Sequence, residues 1–282
     1  MSSNDLVLNR FFTKYIIEDL IENYNNQTYC SIIKHYLENE KEQNNGELIS
    51  KIYKYMSKNY RNEYFYQNTL LNKLLLGRHS INTTTALTQV PIGKSKADFV
   101  LINGKAVVYE IKTELDNFDR LKTQITDYYK AFDHVCVVTC EKNYDKLNML
   151  LDNTSVGICI LTNKNTLQFK KESQINTRSL NHKNIFKILR KNEFENIILE
   201  YYTKLPKTTP VFYYDECYKW FANIPIDKAY TMTLKQLKKR NKVIKDQFRN
   251  VPYELKSLLY FYNATISDFL KLDKFLKEKY RG

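Results

Sequence analysis

Glycine and proline are scarce in this chain, with six and five residues among 282. Both residues interrupt regular elements, so their scarcity favours long uninterrupted helices over a loop-rich fold. No apolar run reaches the length of a membrane span. The opening residues, MSSNDLVLNRFF, lack a basic segment followed by an apolar stretch. We therefore expect neither a signal peptide nor a membrane partner, and a cytoplasmic location.

Several site signatures are also missing. The five cysteines are odd in number and form no C-x-x-C pair, and three of them lie in or beside apolar runs: Cys136, Cys140 and Cys159. Such cysteines behave as small core residues in a reducing compartment, which argues against a structural zinc site. The four histidines show no metal-ligand spacing. No phosphate-binding loop or nucleophile elbow is present, so nucleotide-dependent and acyl-transfer enzymes are disfavoured.

What the chain does have is positive charge, and that charge is unevenly distributed. The formal net charge is +13, with 43% hydrophobic and 14% aromatic residues, as in a globular protein. Residues 1–160 hold 19 Lys/Arg and 19 Asp/Glu, whereas residues 161–282 hold 25 and 12. This asymmetry predicts a polyanionic partner for the C-terminal part. A solvated lysine-rich surface is the alternative.

Periodicity divides the chain into three stretches. Residues 1–60 show helical spacing, and residues 174–282 return to helix with breaks near the prolines. Residues 61–173 alternate strands with helices behind a hairpin, in which the apolar runs 98–102 and 106–111 join through Asn103-Gly104. This pattern predicts an α/β protein with a mixed sheet in an α-β-α arrangement, flanked by helical N- and C-terminal regions.

The hairpin carries an acidic pair and a lysine. Asp98 opens the first strand, and Glu110 and Lys112 share one face of the second because strand side chains alternate. Phosphodiester hydrolysis can use Mg²⁺ held by a few carboxylates, and an ammonium can orient the attacking water. The constellation therefore predicts a metal-dependent phosphodiesterase. The competing interpretation is a polar sheet edge with an ordinary Glu–Lys pair.

The wording of this region, A-D-F-V-L-I-N-G-K-A-V-V-Y-E-I-K-T-E-L-D, resembles the PD-(D/E)XK nuclease superfamily. The later Q-I-T-D-Y matches the Q-x-x-x-Y motif of its RecB-like branch, and the wording is similar to a sparsely characterised bacterial family of mobile elements such as phages. The resemblance covers roughly residues 60–165. It departs from the superfamily pattern at position 97, where Ala stands in place of Pro.

The resemblance implies a role for each matching residue. Asp98 and Glu110 would bind Mg²⁺ or Mn²⁺ with the Ile111 carbonyl, and Lys112 would position the water. Glu63, on the preceding helix, would be a further metal carboxylate. Gln124 and Tyr128, four residues apart on the next helix, would complete the catalytic set. The alternatives are a solvated Glu63, a polar flank at Gln124 and a core tyrosine at Tyr128.

Strand register decides whether this site can exist. A two-residue Asn-Gly turn would pair positions summing to 207 and place Asp98 on the face opposite Glu110. A three-residue loop, Ile102-Asn103-Gly104, would pair positions summing to 206 and bring Asp98, Glu110 and Lys112 to one face. The metal-site hypothesis therefore predicts the three-residue loop, or a bulge near Asp98.

The basic tract near the C-terminus predicts a nucleic-acid contact. Six cations fall at helical spacing and would form one stripe on a helix: Lys235, Lys238, Lys239, Lys242, Lys245 and Arg249. Flanking aromatics could stack on unpaired bases, although such residues more often pack helices: Trp220, Phe221, Tyr230, Phe248 and Tyr253. We expect an endo- or exonuclease acting on nucleic acid, with DNA favoured over RNA.

Two other functions stay open at this point. One is a nuclease-like fold that only binds nucleic acid, and the other is an interaction protein of a phage defence or counter-defence system. A protein partner or a homodimer is compatible with either.

Overall fold

The computed structural model describes residues 5–24, 26–37, 43–240 and 243–281. The chain forms two compact units, which we call the helical unit (Met1–Arg78 with Lys242–Gly282) and the sheet unit (His79–Asn241). The second unit contains a six-stranded mixed sheet, so the α/β class is confirmed. The three predicted stretches do not coincide with the units. Residues 61–78 group with the N-terminal helices, and the C-terminal stretch is divided between both units.

The elements are as follows. In chain order, the described α-helices are α1 (Asp5–Phe11), α2 (Lys14–Asn23), α3 (Gln27–Tyr36), α4 (Asn45–Asn59), α5 (Glu63–Leu70), α6 (Leu121–Tyr128), α7 (Tyr144–Leu150), α8 (His182–Lys187), α9 (Lys191–Tyr202), α10 (Pro210–Ala222), α11 (Ile226–Lys238), α12 (Lys245–Arg249), α13 (Lys256–Tyr262) and α14 (Ile266–Lys277). A π-helix, Leu71–Arg78, continues α5. The strands are β1 (Thr85–Ile92), β2 (Ser95–Asn103), β3 (Lys105–Lys112), β4 (His134–Cys140), β5 (Gly157–Leu161) and β6 (Leu167–Lys171). Among the described helices, none is long and apolar enough to cross a membrane.

Asparagine explains several helix starts. The side chains of Asn26, Asn44, Asn62 and Asn181 accept backbone N–H groups at the first turns of α3, α4, α5 and α8. Each bond satisfies a donor that has no partner within its helix. At α4 the Glu47 carboxylate completes a capping box by accepting the Asn44 N–H.

Buried amides join the two ends of the chain within the helical unit. The Asn45 side chain donates to the Phe275 carbonyl at 3.0 Å. The Asn68 side chain donates to the Tyr253 carbonyl at 3.0 Å, and its oxygen accepts the Ser257 N–H at 2.9 Å. A buried amide is costly without hydrogen bonds, so these contacts fix α14 against α4, and the start of α13 with the residues before it against α5.

The sheet has the order β1-β2-β3-β4-β5-β6. Strands β1, β2 and β3 pair antiparallel, β3, β4 and β5 pair parallel, and β6 pairs antiparallel with β5. Val108 on β3 and its partner Val135 on β4 belong to the same apolar core as Tyr128 and Phe132. Glu110 stands on the same side of β3 as Val108, so α6 covers the face that carries it.

The β2–β3 hairpin turns around Gly104, whose φ is +74°. In each of its pairs, from Asn103↔Lys105 to Phe99↔Tyr109, the two residue numbers add up to 208. The predicted sum of 206 is therefore wrong, because the loop is centred one residue further along the chain. Registers of 206 and 208 differ by one full side-chain period, so the faces are the same. The odd register that would separate Asp98 from Glu110 does not occur.

Candidate functional site

Asp98 and Glu110 lie one residue beyond the last pair between β2 and β3. Extending the register by one residue beyond Phe99↔Tyr109 places Asp98 opposite Glu110. Asp98 is half-buried, and its Oδ2 accepts the Ile111 N–H at 2.8 Å. Glu110 is buried, with 1% of its surface exposed. The two carboxylates therefore come from neighbouring strands, as the metal-site hypothesis requires.

Lys112 neutralises part of this negative charge. Its Nζ donates to Glu110 Oε1 at 2.8 Å and to Gln124 Oε1 at 2.9 Å. Because the lysine is buried, its ammonium needs such partners to replace water. Glu110 and Lys112 are two residues apart on one strand face, and Gln124 reaches them from α6. The arrangement holds the ammonium beside the carboxylate pair.

Tyr128 holds the other side of Glu110. Its hydroxyl lies 2.5 Å from Glu110 Oε2 and 2.8 Å from the Lys96 carbonyl. Burial, together with the charge of Glu110, raises the pKa of the Tyr128 phenol well above its ordinary value. The phenol therefore keeps its proton and serves as a donor. Gln124 and Tyr128 project from one side of α6, as their spacing predicts, and both reach the Glu110–Lys112 pair.

Asp127 fastens α6 onto the β1–β2 turn. Its Oδ2 accepts the Ser95 hydroxyl at 2.8 Å and the Lys94 N–H at 3.1 Å, and its Oδ1 accepts Lys130 Nζ at 2.6 Å. Burial would raise the pKa of this carboxyl, but the three donors outweigh it and lower the pKa. Gly93 has a φ of +62°, and a Cβ there would lie 2.7 Å from Asp127 Oδ1. This clasp positions Gln124 and Tyr128, and sequence reasoning missed it.

The backbone of β1 is unusual beside Asp98. The β1–β2 pairs Thr88↔Phe99 and Val90↔Ala97 flank Gln89 on β1 and Asp98 on β2. Gln89 has a φ of +52°, a left-handed conformation that is uncommon for residues other than glycine. The Thr88 hydroxyl donates to the Asp98 carbonyl at 2.8 Å. Strained backbone of this kind is concentrated at functional sites. The residues around Gln89 contain no pattern that predicts it.

Ile111 lies beyond the last β2–β3 pair. Since the N–H and C=O of a strand residue point to the same neighbour, its carbonyl is on the side of Asp98, to which its N–H donates. Glu63 is different, because it begins α5 in the helical unit, where its side chain is exposed. A carboxylate in a first turn also complements the positive end of the helix. The metal role of Glu63 remains a prediction.

The donor set suits a hard divalent cation that needs few protein ligands because water fills the rest of its coordination shell. Among the residues that the structure describes, no group of three or more His, Cys, Asp or Glu could hold a metal ion. Mg²⁺ commonly uses one or two carboxylates and keeps several waters. Asp98, Glu110 and the Ile111 carbonyl meet that need, and each carboxylate oxygen that accepts one hydrogen bond has a second lone pair.

The predicted cationic stripe is not one helix. Helix α11 ends at Lys238 and α12 begins at Lys245, in different units, and Lys242 lies outside the described residues. Arg240 turns inward instead. Its Nε donates to Glu193 Oε1 at 2.6 Å, and its Nη2 also donates to the Ile188 carbonyl. The expectation of one continuous stripe is therefore wrong.

The single cations keep different surroundings. Lys235 pairs with Glu200 at 3.3 Å. The others described are exposed: Lys238 and Lys239 in the sheet unit, and Lys245 and Arg249 in the helical unit. Their contact with nucleic acid stays a prediction.

The aromatic residues around this tract also separate. Phe221, Tyr230 and Phe248 are buried core residues, which is the more common role of helix aromatics. Trp220 is half-buried, and Tyr253 is 40% exposed. Only the last two keep surface that a ligand could contact.

Comparison with known proteins gives one result. A family described as bacteriophage P4 protein cII matches residues 56–258. No curated protein matches the chain, and no solved structure does. The matched segment contains the whole sheet unit, His79–Asn241, and also Glu63, so every predicted site residue on the strands, on α6 and on α5 lies within it.

Proposed function

We propose that the chain, which belongs to the bacteriophage P4 protein cII family, is a divalent-metal-dependent nuclease that hydrolyses phosphodiester bonds of nucleic acid. One observation carries the proposal: Asp98 accepts the N–H of Ile111, the residue after Glu110, on the adjoining strand, and the Lys112 ammonium lies 2.8 Å from Glu110. DNA is favoured as the substrate by the resemblance of the motif.

Each residue has a task that its contacts support. The Ile111 N–H holds Asp98, and the Tyr128 phenol holds Glu110, so neither carboxylate has to be ordered when a cation binds. Gln124 holds the Lys112 ammonium where it can orient a water and offset charge on the phosphoryl group. A divalent cation bound by the carboxylates would polarise the phosphoryl oxygens and activate water for attack.

The test is cleavage of labelled single- and double-stranded DNA and RNA, with Mg²⁺, with Mn²⁺ and with EDTA. We expect metal-dependent cutting that Glu110→Gln reduces by about a hundredfold or more. Asp152→Asn removes an exposed carboxylate of the same unit and should cut as wild type does. If Glu110→Gln and wild type cut alike, the activity does not arise at this site.

A second candidate is binding of nucleic acid without cutting, as expected of a partner in a phage defence or counter-defence system. The observation in its favour is that Lys112 and Tyr128 already occupy both oxygens of Glu110. Metal binding separates the two candidates. Mn²⁺ should raise the melting temperature of wild type but not of Asp98→Asn if the carboxylates hold a cation.

A further inference from the structure

A row of aromatic rings lies on the surface of the sheet unit, at the C-terminal end of α9 and on α10. The Tyr201 and Tyr202 ring centroids are 4.8 Å apart, and those of Tyr202 and Trp220 are 5.2 Å apart. Tyr201 is 36% exposed, and the other two rings are half-buried. We call these three rings the aromatic surface.

Two exposed lysines flank the aromatic surface. Lys228 Nζ lies 5.8 Å from the centroid of the Tyr201 ring, and Lys204 Nζ lies 5.9 Å from that of Trp220. Within the described part of the chain, neither lysine forms an ion pair. The neighbouring carboxylate, Glu200, is already paired with Lys235. The charge available to a ligand here is therefore positive at both ends of the row.

Helix packing explains only part of this arrangement. The Tyr202 hydroxyl donates to the Trp220 carbonyl at 3.0 Å and so joins the end of α9 to α10. Tyr201 does not take part in that contact. The Lys228 ammonium makes a cation–π contact with its ring, and the exposed ring adjoins the other two in one aromatic patch, a kind of surface that commonly marks a binding site.

We propose that the aromatic surface with Lys204 and Lys228 binds unpaired nucleotides of single-stranded nucleic acid, at a place separate from the carboxylate site. Bases offer flat faces to the rings while phosphates meet the two ammonium groups. Duplex nucleic acid keeps its bases stacked internally and cannot use the rings. An acidic peptide would satisfy the lysines but would gain little from Tyr201.

The chain contains a single tryptophan, Trp220, so its fluorescence reports on this surface alone. We would titrate the full chain with an oligothymidylate of about ten nucleotides in EDTA, which prevents metal-dependent cutting. Binding should quench Trp220, and duplex DNA of equal length should bind more weakly. Because no metal is present, this result is independent of whether the carboxylate site cuts.

Variants assign the contacts. Tyr201→Ala should weaken binding by about ten- to a hundredfold, whereas Tyr201→Phe keeps the ring and should bind as wild type does. Lys204→Gln with Lys228→Gln should reduce the slope of log affinity against log salt by about 1.4. The matched control, Lys105→Gln with Lys164→Gln, removes two exposed cations, one at the start of β3 and one in the β5–β6 turn, and should leave the slope nearly unchanged.

The proposal fails if single strands leave Trp220 fluorescence unchanged, or if they bind no better than the duplex. It also fails if Tyr201→Ala, with an unchanged melting temperature, binds as tightly as wild type. Equal salt slopes for the two lysine double variants would likewise overturn it.

Discussion

Tyr128 and Tyr129 are adjacent buried tyrosines with opposite hydrogen-bonding situations. The Tyr128 hydroxyl contacts Glu110 Oε2 at 2.5 Å and the Lys96 carbonyl at 2.8 Å. The Tyr129 hydroxyl is also buried, but it has no hydrogen-bond partner among the described residues. The same substitution, tyrosine to phenylalanine, should therefore lower the free energy of unfolding at position 128 but not at position 129.

Tyr128→Phe keeps the ring in the core and removes only the donor to a buried carboxylate. A hydrogen bond to a charged group contributes about 1.5–3 kcal/mol, so the free energy of unfolding should fall by about that amount. Tyr129→Phe removes a buried hydroxyl that has no hydrogen-bond partner among the described residues. Burial raises the pKa of this hydroxyl to about 12. We expect that variant to be neutral or more stable by about 1 kcal/mol.

Urea unfolding followed by far-UV circular dichroism measures both variants against wild type. The comparison is valid if the slope m stays constant, because a changed slope would indicate a changed unfolded or folded ensemble. Equal losses in both variants would mean that the Tyr128 hydroxyl does not hold Glu110. A larger loss in Tyr129→Phe than in Tyr128→Phe would refute the hydrogen-bond assignment outright.

Three further predictions concern the same unit. Arg240→Gln leaves the buried Glu193 carboxylate without its paired cation, so urea unfolding should show a loss of about 3–5 kcal/mol, while Lys239→Gln should show almost none. Gln89→Gly relieves the left-handed strain and should raise the melting temperature without reducing metal-dependent cutting, whereas Gln89→Val should lower both. Buried tyrosines such as Tyr128 and Tyr230 have raised pKa values, so they stabilise the fold below the ordinary tyrosine pKa and lose that contribution as pH rises through the folded value. Spectrophotometric titration should therefore show them ionising only together with alkaline unfolding.

Local pattern was sufficient for the hairpin. Apolar runs predict strands at 98–102 and 106–111, and the structure has Ser95–Asn103 and Lys105–Lys112. The chemistry requires Asp98 and Glu110 on one face of the sheet. This restricts the register to pairs whose residue numbers add up to an even number. It does not choose between 206 and 208, because that choice depends on where Gly104 sits within the turn.

Long-range contacts were not predictable. Arg240 reads as one more cation in a basic tract, yet its partner Glu193 lies 47 residues earlier in the chain. That ion pair holds the Arg240 side chain inward, whereas Lys238 and Lys239 before it are exposed. The Asp127 clasp could have been inferred only by knowing that the Gly93 turn lies under α6. The left-handed backbone at Gln89 could not be predicted either, since glutamine has no special preference for that conformation.

The formal charge at the carboxylate site helps to distinguish a nuclease from a protein that only binds nucleic acid. Asp98 and Glu110 carry two negative charges and Lys112 one positive charge, so the cluster is negative by one unit. A phosphodiester approaching this half-buried cluster would be repelled, and low polarity strengthens that repulsion. A bound divalent cation reverses the sign and leaves one positive charge to meet one phosphate. Nucleic acid that engages this site should therefore require a divalent ion, and Asp98→Asn should improve metal-free binding while it abolishes the metal-dependent gain.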